Sequence, residues 1–323
     1  MYRKISIINI IASAFLFSAS ANAPQLNLFS RASLQSTVSQ ALGGAGAAMP
    51  VGGMQGLINP ALTATCKSDG SIAAGYGRDR IFDKTALPIG IVLTDNNGAM
   101  GLYYRFLDGN KGRVNDAAIN FSGTVFQQAA AQGQGSVDFG MNIRYEHSVW
   151  PYIYENDDSD AAKMRSNNLL VDIGFYQPRI MENLDFALVI RNFTGYSWNR
   201  IEGADKTKGQ IRGRHRTVVV GCVYNLALGD ALRFSLPADI EMNNLFEKSL
   251  PNKYVLRTGL EGRISSYTVR FGYTNAPEDP MELITDFNHK NLFFGGVGVF
   301  VNPLQLDFFT GKKEWGVTAT WFY

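Results

Sequence analysis

The sequence predicts an all-β protein: a transmembrane antiparallel β-barrel of about 14 strands with an N-terminal helical hatch, or plug, in its lumen. Three observations predict this fold. Charged residues are only 18% of the chain, whereas aromatic residues reach 12% and Gly 33 residues. Several segments alternate between apolar and polar residues, and short links between these segments alternate with long ones. Helical membrane proteins instead need apolar runs of about 20 residues, which the chain lacks after its N-terminal leader.

The composition also excludes several functions. Lys plus Arg is 30 and Asp plus Glu is 28, so a net charge of +2 excludes a nucleic-acid partner recruited by bulk charge. With 2 Cys and 3 His, we expect no metal centre and no cofactor. No Ser and His are placed for nucleophilic catalysis, so we expect a protein that is not an enzyme. The sequence leaves open whether Cys66 and Cys222 pair.

The first residues read as a secretory signal peptide. Arg3 and Lys4 are basic, and residues 5–17 are mostly apolar. Residues 18–23 read S-A-S-A-N-A, and such small residues are typical of a signal-peptide cleavage site. Cleavage after Ala21 and cleavage after Ala23 both remain open. We therefore assign residues 1–23 to the signal peptide, residues 24–69 to the hatch and residues 70–323 to the barrel.

The alternation has a period of two, as in a strand. Along residues 137–146, Val137, Phe139 and Met141 begin one face, and Asp138 and Gly140 begin the other. A soluble exported β-sandwich alternates as well, but the Tyr and Trp residues at strand ends favour the interfacial girdles of a membrane barrel. The predicted strands are 71–79, 86–94, 99–107, 116–127, 135–149, 166–177, 184–195, 214–228, 231–243, 253–264, 265–275, 290–301, 302–310 and 314–323.

The segment before the first strand does not alternate. Leu34, Val38 and Leu42 are spaced by four residues, which predicts a short amphipathic helix, and the glycines that follow Leu42 end it. A barrel of about eight strands already fills its interior with side chains, so about 14 strands leave a hollow lumen. The N-terminal segment is therefore predicted to plug that lumen.

Two short motifs in this segment carry a resemblance. Gly43-Gly44-Ala45-Gly46, then Asn59-Pro60-Ala61-Leu62, then a barrel that ends on an aromatic residue resemble the FadL/PorV-PorQ-type outer-membrane β-barrel superfamily. Its members carry an N-terminal hatch with a G-G-A-G-like turn and an N-P-A motif. The resemblance implies that Gly43, Gly44, Gly46, Asn59, Pro60 and Ala61 form the hatch motif. The usual motif places Gly where this chain has Leu62, so we expect the hatch backbone to differ there.

The resemblance implies two kinds of function. FadL-type members are gated passages for hydrophobic molecules such as long-chain fatty acids, and PorV/PorQ-type members serve protein secretion. Our main hypothesis is a bacterial outer-membrane barrel that binds or passes hydrophobic, fatty-acid-like small molecules through a hatch-gated lumen. The alternative is a PorV/PorQ-like barrel that serves secretion or surface attachment through partner proteins. The expected surroundings are outer-membrane lipid and lipopolysaccharide, whose phosphates the basic loop 196–213 suits.

If the apolar face of each strand meets lipid, the opposite face lines the lumen. The charged candidates on that face are Arg105, Arg144, Arg191, Arg257, Arg270, Asp138, Asp172 and Glu261, together with Arg233, Arg263, Glu146, Asp185, Asp239, Glu241 and Asp307. Seven arginines then face eight acids, and such a balance argues against a strongly ion-selective pore. Two interpretations remain open: an ion-pair network that braces the barrel, or arginines that bind a ligand carboxylate.

Overall fold

A computed structural model gives the arrangement of the chain. It describes residues 36–50, 52–66, 68–78, 85–95, 98–109, 112–126, 136–151, 163–202, 210–211, 216–229, 231–243, 253–277, 289–312 and 314–323. The signal peptide and Leu34 lie outside the described residues, as do residues 203–209, 212 and 213 of the predicted loop 196–213. Residues 196–202 and 210–211 of that predicted loop are strand in the structure.

Fourteen long strands form one closed antiparallel barrel. Sequential strands pair with each other, β1 pairs with β15 to close the ring, and β7 pairs with both β6 and β9. The two-residue strand β8 pairs with β7 alone and is an addition to the ring. The strands are β1 (Gly70–Arg78), β2 (Thr85–Thr94), β3 (Ala99–Gly109), β4 (Gly112–Phe126), β5 (Val137–Pro151), β6 (Lys163–Met181), β7 (Leu184–Glu202), β8 (Gln210–Ile211), β9 (Thr217–Leu228), β10 (Leu232–Asn243), β11 (Lys253–Ile264), β12 (Tyr267–Pro277), β13 (His289–Val301), β14 (Leu304–Thr310) and β15 (Trp315–Phe322). The predicted antiparallel barrel of about 14 strands is confirmed.

The largest differences from the predicted strands lie at the long-loop end, where the long links join the strands. Strand β4 begins at Gly112, four residues before the predicted start at 116, and β6 and β7 are each 19 residues long. Along these extensions both faces lack a sustained apolar alternation. Backbone pairing continues there without the periodic signal on which the prediction depends.

The wall separates an apolar outer face from a polar inner one. Large apolar side chains are exposed in alternation along the strands, for example Ile89, Ile91 and Leu93 on β2, while charged and amide side chains between them are buried. In a soluble protein the apolar set would be inside, so the exposed set here marks the face that meets lipid. No helix in the described part of the chain is long and apolar enough to cross a membrane.

The residues before β1 lie against the inner face of the wall. This inner segment, residues 36–50 and 52–66, contains helix α1 (Thr37–Ala41) and the short 3₁₀ helices η1 (Gln55–Leu57) and η2 (Pro60–Thr65). It is less helical than the sequence predicts, because α1 is only 5 residues long and Gly43, Gly44 and Gly46 follow it with positive φ angles. Leu62, at the position where the related motif has Gly, is fully buried.

Candidate functional site: the lumen and its inner segment

The turn after α1 contains the three glycines of the first motif, Gly43, Gly44 and Gly46. The Gly43 N–H donates to the Gln40 carbonyl at 3.0 Å, and the Gly44 N–H donates to the Ser39 carbonyl at 2.7 Å. Gly43 has φ +71° and its Cα lies against the backbone of Tyr273, so a Cβ would be strained and would have no room. The turn therefore needs Gly for its conformation and for its close approach to β12.

A buried carboxylate on β10 holds the next residues. Oδ2 of Asp239 accepts from the N–H of Gly46 at 2.9 Å and from the N–H of Ala47 at 3.0 Å. The other oxygen, Oδ1, is buried without a hydrogen-bond partner. A carboxylate that accepts two backbone N–H groups makes strong, charge-assisted hydrogen bonds. Asp239 is thus an anchor between the wall and the inner segment.

Asn59 joins three parts of the molecule through one side chain. Its Oδ1 accepts from the Ala61 N–H at 3.0 Å, which caps η2, and its Nδ2 donates to the Ala47 carbonyl at 2.8 Å. The same Nδ2 lies 3.2 Å from the Phe175 carbonyl on β6. The residue after it, Pro60, occupies the first position of η2, where its missing N–H costs nothing. Asn59 and Pro60 therefore start η2, and Asn59 also ties it to Ala47 and to the wall.

Further side chains of the wall bind the backbone and side chains of the inner segment. Asn120 donates to the Pro60 carbonyl at 3.1 Å, and Asn142 donates to the Gly56 carbonyl at 2.8 Å. Two more contacts come from Tyr103, whose hydroxyl lies 3.2 Å from Thr63 Oγ1, and from Thr318, whose hydroxyl meets that of Thr37. With Asp239 and the Phe175 carbonyl, these anchors come from β3, β4, β5, β6, β10 and β15. The inner segment is thereby fixed around much of the inner circumference.

Glycines on the inner face of the wall let the segment approach this closely. A Cβ on Gly174 would overlap Asn59 Oδ1, and one on Gly140 would overlap the Pro60 carbonyl. Gly272 and Gly296 receive Gly43 and Ala41 in the same way. By contrast, a Cβ on Gly295 would meet nothing closer than 3.9 Å. Because these wall glycines have no side chain, the backbone of the inner segment can lie directly against the wall.

The charged candidates form three buried ion-pair clusters. In the first, Arg144 lies 3.3 Å from Asp116, 2.9 Å from Asp172 and 3.7 Å from Glu146, and Arg105 adds a second cation on Asp116 at 2.5 Å. All five side chains are buried. The two guanidinium groups contact three carboxylates, so loss of either would leave buried negative charge less well compensated.

Two smaller clusters lie on the following strands. Glu241 forms ion pairs with Arg257 at 2.9 Å and with Arg191 at 3.8 Å. Arg270 bridges Glu261 and Asp307, each at 2.7 Å. Asp138, the remaining candidate, accepts from Thr124 Oγ1 at 2.7 Å. The eight predicted lumen-lining residues are thus all buried on the inner face, and every one of the five arginines is already in an ion pair.

The buried charge differs from the balance predicted from the sequence. The strands described here bury five arginines and nine acids, namely Asp116, Asp138, Glu146, Asp172, Asp185, Asp239, Glu241, Glu261 and Asp307. Arg233 and Arg263 are exposed, because they lie near the strand ends where the interior opens. Asp116, the first residue of the predicted strand 116–127, was not among the charged candidates, although it is buried on the inner face. The inner wall is therefore net acidic rather than balanced.

A cavity of about 1320 Å³ lies at the short-turn end, where residues such as Asn183, Ser265 and Asn302 connect strands. Inner-segment residues, Met49 and Gln55 among them, bound one side of it. Its lining is mixed and includes Asp138, Tyr176, Asp185, Arg233, Glu261, Arg263 and Asp307. Both cysteines are unpaired: Cys66 lines this cavity and Cys222 lies on β9.

Comparison with solved structures identifies the fold. The P. putida toluene transporter TodX matches with a TM-score of 0.60 and 8% identity, over 89% of this chain and 98% of that chain. The Ralstonia pickettii toluene transporter TbuX gives a TM-score of 0.55 and 11% identity over 89% and 98%. A Pseudomonas aeruginosa FadL homologue gives a TM-score of 0.52 and 11% identity over 94% and 100%. This chain has the fold of a FadL-type outer-membrane barrel.

At the level of sequence, no family model and no curated protein matches this chain. Identities of 8% to 11% over nearly the whole chain mean that the FadL-type likeness lies in the backbone and not in conserved side chains. The FadL-type fold confirms the resemblance stated from the two N-terminal motifs. The assignment of roles to individual lumen residues is argued below from their contacts in this chain alone.

Proposed function

We propose that this protein is an outer-membrane conduit for small hydrophobic molecules, and that its inner segment is the hatch that closes the lumen at rest. The observation that carries the proposal is the inner segment itself, which binds the inner face of six different strands and bounds the cavity at the short-turn end. A ligand that crosses the barrel has to pass this segment. Its displacement therefore controls passage.

The solved structures with this fold support the ligand class. Two of them are toluene transporters by name, and toluene is a small, uncharged hydrophobic molecule. We accordingly propose hydrophobic small molecules as ligands and do not restrict them to fatty acids. The exposed apolar belt would lie in outer-membrane lipid and lipopolysaccharide, after removal of residues 1–23. A PorV/PorQ-like role in secretion stays a prediction, and co-purification of secretion proteins with an empty barrel would favour it.

The geometry suggests how the hatch opens. At its C-terminal side the inner segment continues into β1 through Ser68 and Gly70, and Gly70 pairs with Tyr323 by two backbone hydrogen bonds of 3.1 Å. Elsewhere the polar anchors are separate hydrogen bonds, each of which stabilises by about 0.5–1.5 kcal/mol, or somewhat more for the two that Asp239 accepts. The segment is therefore held at one end by the sheet and along its length by a set of weak, reversible contacts.

A reversible disulfide tests this gate. The hydroxyls of Thr37 and Thr318 are in contact, so Thr37→Cys with Thr318→Cys, in a chain carrying Cys66→Ser and Cys222→Ala, brings two thiols together. Oxidation ties the N-terminal side of the segment to β15 while β1 holds the other side. We expect uptake of labelled toluene by expressing cells to fall about tenfold or more on oxidation and to recover with reductant.

The matched controls for the double-cysteine variant are the two single-cysteine variants in the same background, which cannot form the intramolecular disulfide. Its uptake should not respond to oxidant. Equal uptake by the oxidised and reduced double variant, with the disulfide shown complete by mass spectrometry, would mean that the segment does not gate passage.

A further inference from the structure

We infer that the lumen discriminates by charge: it passes uncharged hydrophobic molecules and rejects anionic ones such as carboxylates. The inference rests on the proposed function and specifies its ligand class. It follows from the fixed charges of the inner wall, on which nine buried acids outnumber five buried arginines in the described strands. It also opposes a fatty-acid anion as the preferred ligand.

The five buried arginines are already in ion pairs, and at the cavity Arg263 pairs with Glu261 at 3.2 Å, while Arg233 lies exposed at the cavity's edge. Arg144 forms ion pairs with three carboxylates, and Arg270 forms ion pairs with two, each at 2.7 Å. Arg105, Arg191 and Arg257 each have at least one carboxylate partner. A ligand carboxylate would have to displace one of these buried partners, which would leave that partner buried without a counter-charge. Breaking a buried pair in this way is strongly unfavourable.

Three of the acids make no direct ion pair with a cation within the described chain. Asp138 accepts from Thr124, Asp185 accepts from Tyr176, Asn225 and the Arg179 N–H, and Asp239 accepts from two backbone N–H groups. Asp138 and Asp185 line the cavity at the short-turn end, and Asp239 Oδ1 is buried with no hydrogen-bond partner. Hydrogen bonds to neutral donors stabilise these charges but do not cancel them.

The consequence is a negative potential along the passage. Charges inside a protein are screened less than charges in water, and a passage whose lining has a net charge of one sign concentrates ions of the other sign. An entering carboxylate is repelled by the net charge of the wall and finds all five buried guanidinium groups in ion pairs, whereas an uncharged ring loses nothing electrostatically. An ammonium group on the same ring is attracted, so the sign of the charge decides passage, not polarity as such.

Three probes of one shape test the inference in cells that express the protein: toluene, benzylamine and benzoate, each labelled, at neutral pH. Uptake is measured above that of cells with an empty vector. We expect uptake of toluene and benzylamine, and benzoate uptake at least about tenfold lower. Benzoate uptake equal to that of toluene would overturn the inference and leave the proposed function standing. Equal rejection of benzylamine and benzoate would overturn it too, because desolvation and not sign would then be the cause.

A double variant then tests whether the carboxylates at the cavity cause the discrimination against benzoate. Asp138→Asn with Asp185→Asn removes two uncompensated charges at the cavity, and we expect the ratio of benzoate to toluene uptake to rise about threefold or more. The matched control is Asp108→Asn, an exposed carboxylate at the long-loop end of β3, which should leave that ratio unchanged. An unchanged ratio in the double variant, with heat-modifiable gel migration showing a folded barrel, would refute the charge mechanism. If cells take up none of the three probes, the proposed function fails and this inference fails with it.

Discussion

Replacing Arg144 by Met is expected to destabilise the barrel by about 3–5 kcal/mol, because it removes a buried cation that contacts Asp116, Asp172 and Glu146. Arg144 contacts three carboxylates and all four side chains are buried. Asp116 keeps Arg105 and is affected less. The measurement is the temperature at which folded and unfolded forms interconvert on a gel, combined with urea unfolding in detergent.

The chain offers a matched control for this change. Arg113 pairs with Asp108 at 3.4 Å, but the two side chains are 56% and 42% exposed. An exposed ion pair stabilises by about 1 kcal/mol or less, so Arg113→Met should change stability little. Equal effects of Arg144→Met and Arg113→Met would show that the buried cluster is not energetically coupled as its geometry indicates.

Replacing Asn59 by Ala is expected to loosen the inner segment without unfolding the barrel. The change removes the cap of η2 and the hydrogen bonds that Asn59 donates to the Ala47 and Phe175 carbonyls. Such a loss costs about 1–3 kcal/mol, which corresponds to roughly a 5- to 150-fold rise in local opening. Hydrogen exchange measured by mass spectrometry on peptides from residues 36–66 reads this out directly.

Asn115→Ala is the control for that measurement. Asn115 also accepts a hydrogen bond, from the Tyr104 hydroxyl at 2.8 Å, but this contact is exposed. We expect its exchange pattern in the inner segment to match the wild type. If Asn59→Ala leaves exchange in residues 36–66 unchanged, the anchors described above do not hold the segment.

The barrel was predictable from the sequence because each strand faces two different environments. Along β5, Asp138 and Met141 fall on opposite faces, and a period of two is the direct result. Prediction failed where that difference ends, as at the start of β4. There residues 112–115 give no sustained alternation to detect, so the start of the strand was missed. Asp116 lies inside the predicted strand, but parity along one strand does not show that it binds two of the predicted arginines.

The contacts of the inner segment were not predictable in the same way. Gly43 and Asn59 were recognisable as motif residues, but the partners of that segment are as distant as Asp239, which is 193 residues from Gly46 in the chain. The wall glycines gave only an ambiguous signal, since a Gly on the polar face of a strand has no side chain to show what it faces. Odd and even positions along one strand show which face of the sheet a side chain lies on. Which residue it contacts depends on how the strands are aligned with one another around the closed barrel, and one strand's sequence does not show that.

Planar-bilayer conductance of the purified wild-type chain tests the central claim, that the inner segment closes the lumen of a membrane barrel. If the segment occupies the lumen as described, reconstituted protein shows no steady ion conductance at rest. Brief conductance steps should become more frequent in Asn59→Ala. A steady, ohmic conductance through the unmodified wild-type chain would contradict the account, because ions would then pass a lumen that the inner segment is proposed to close.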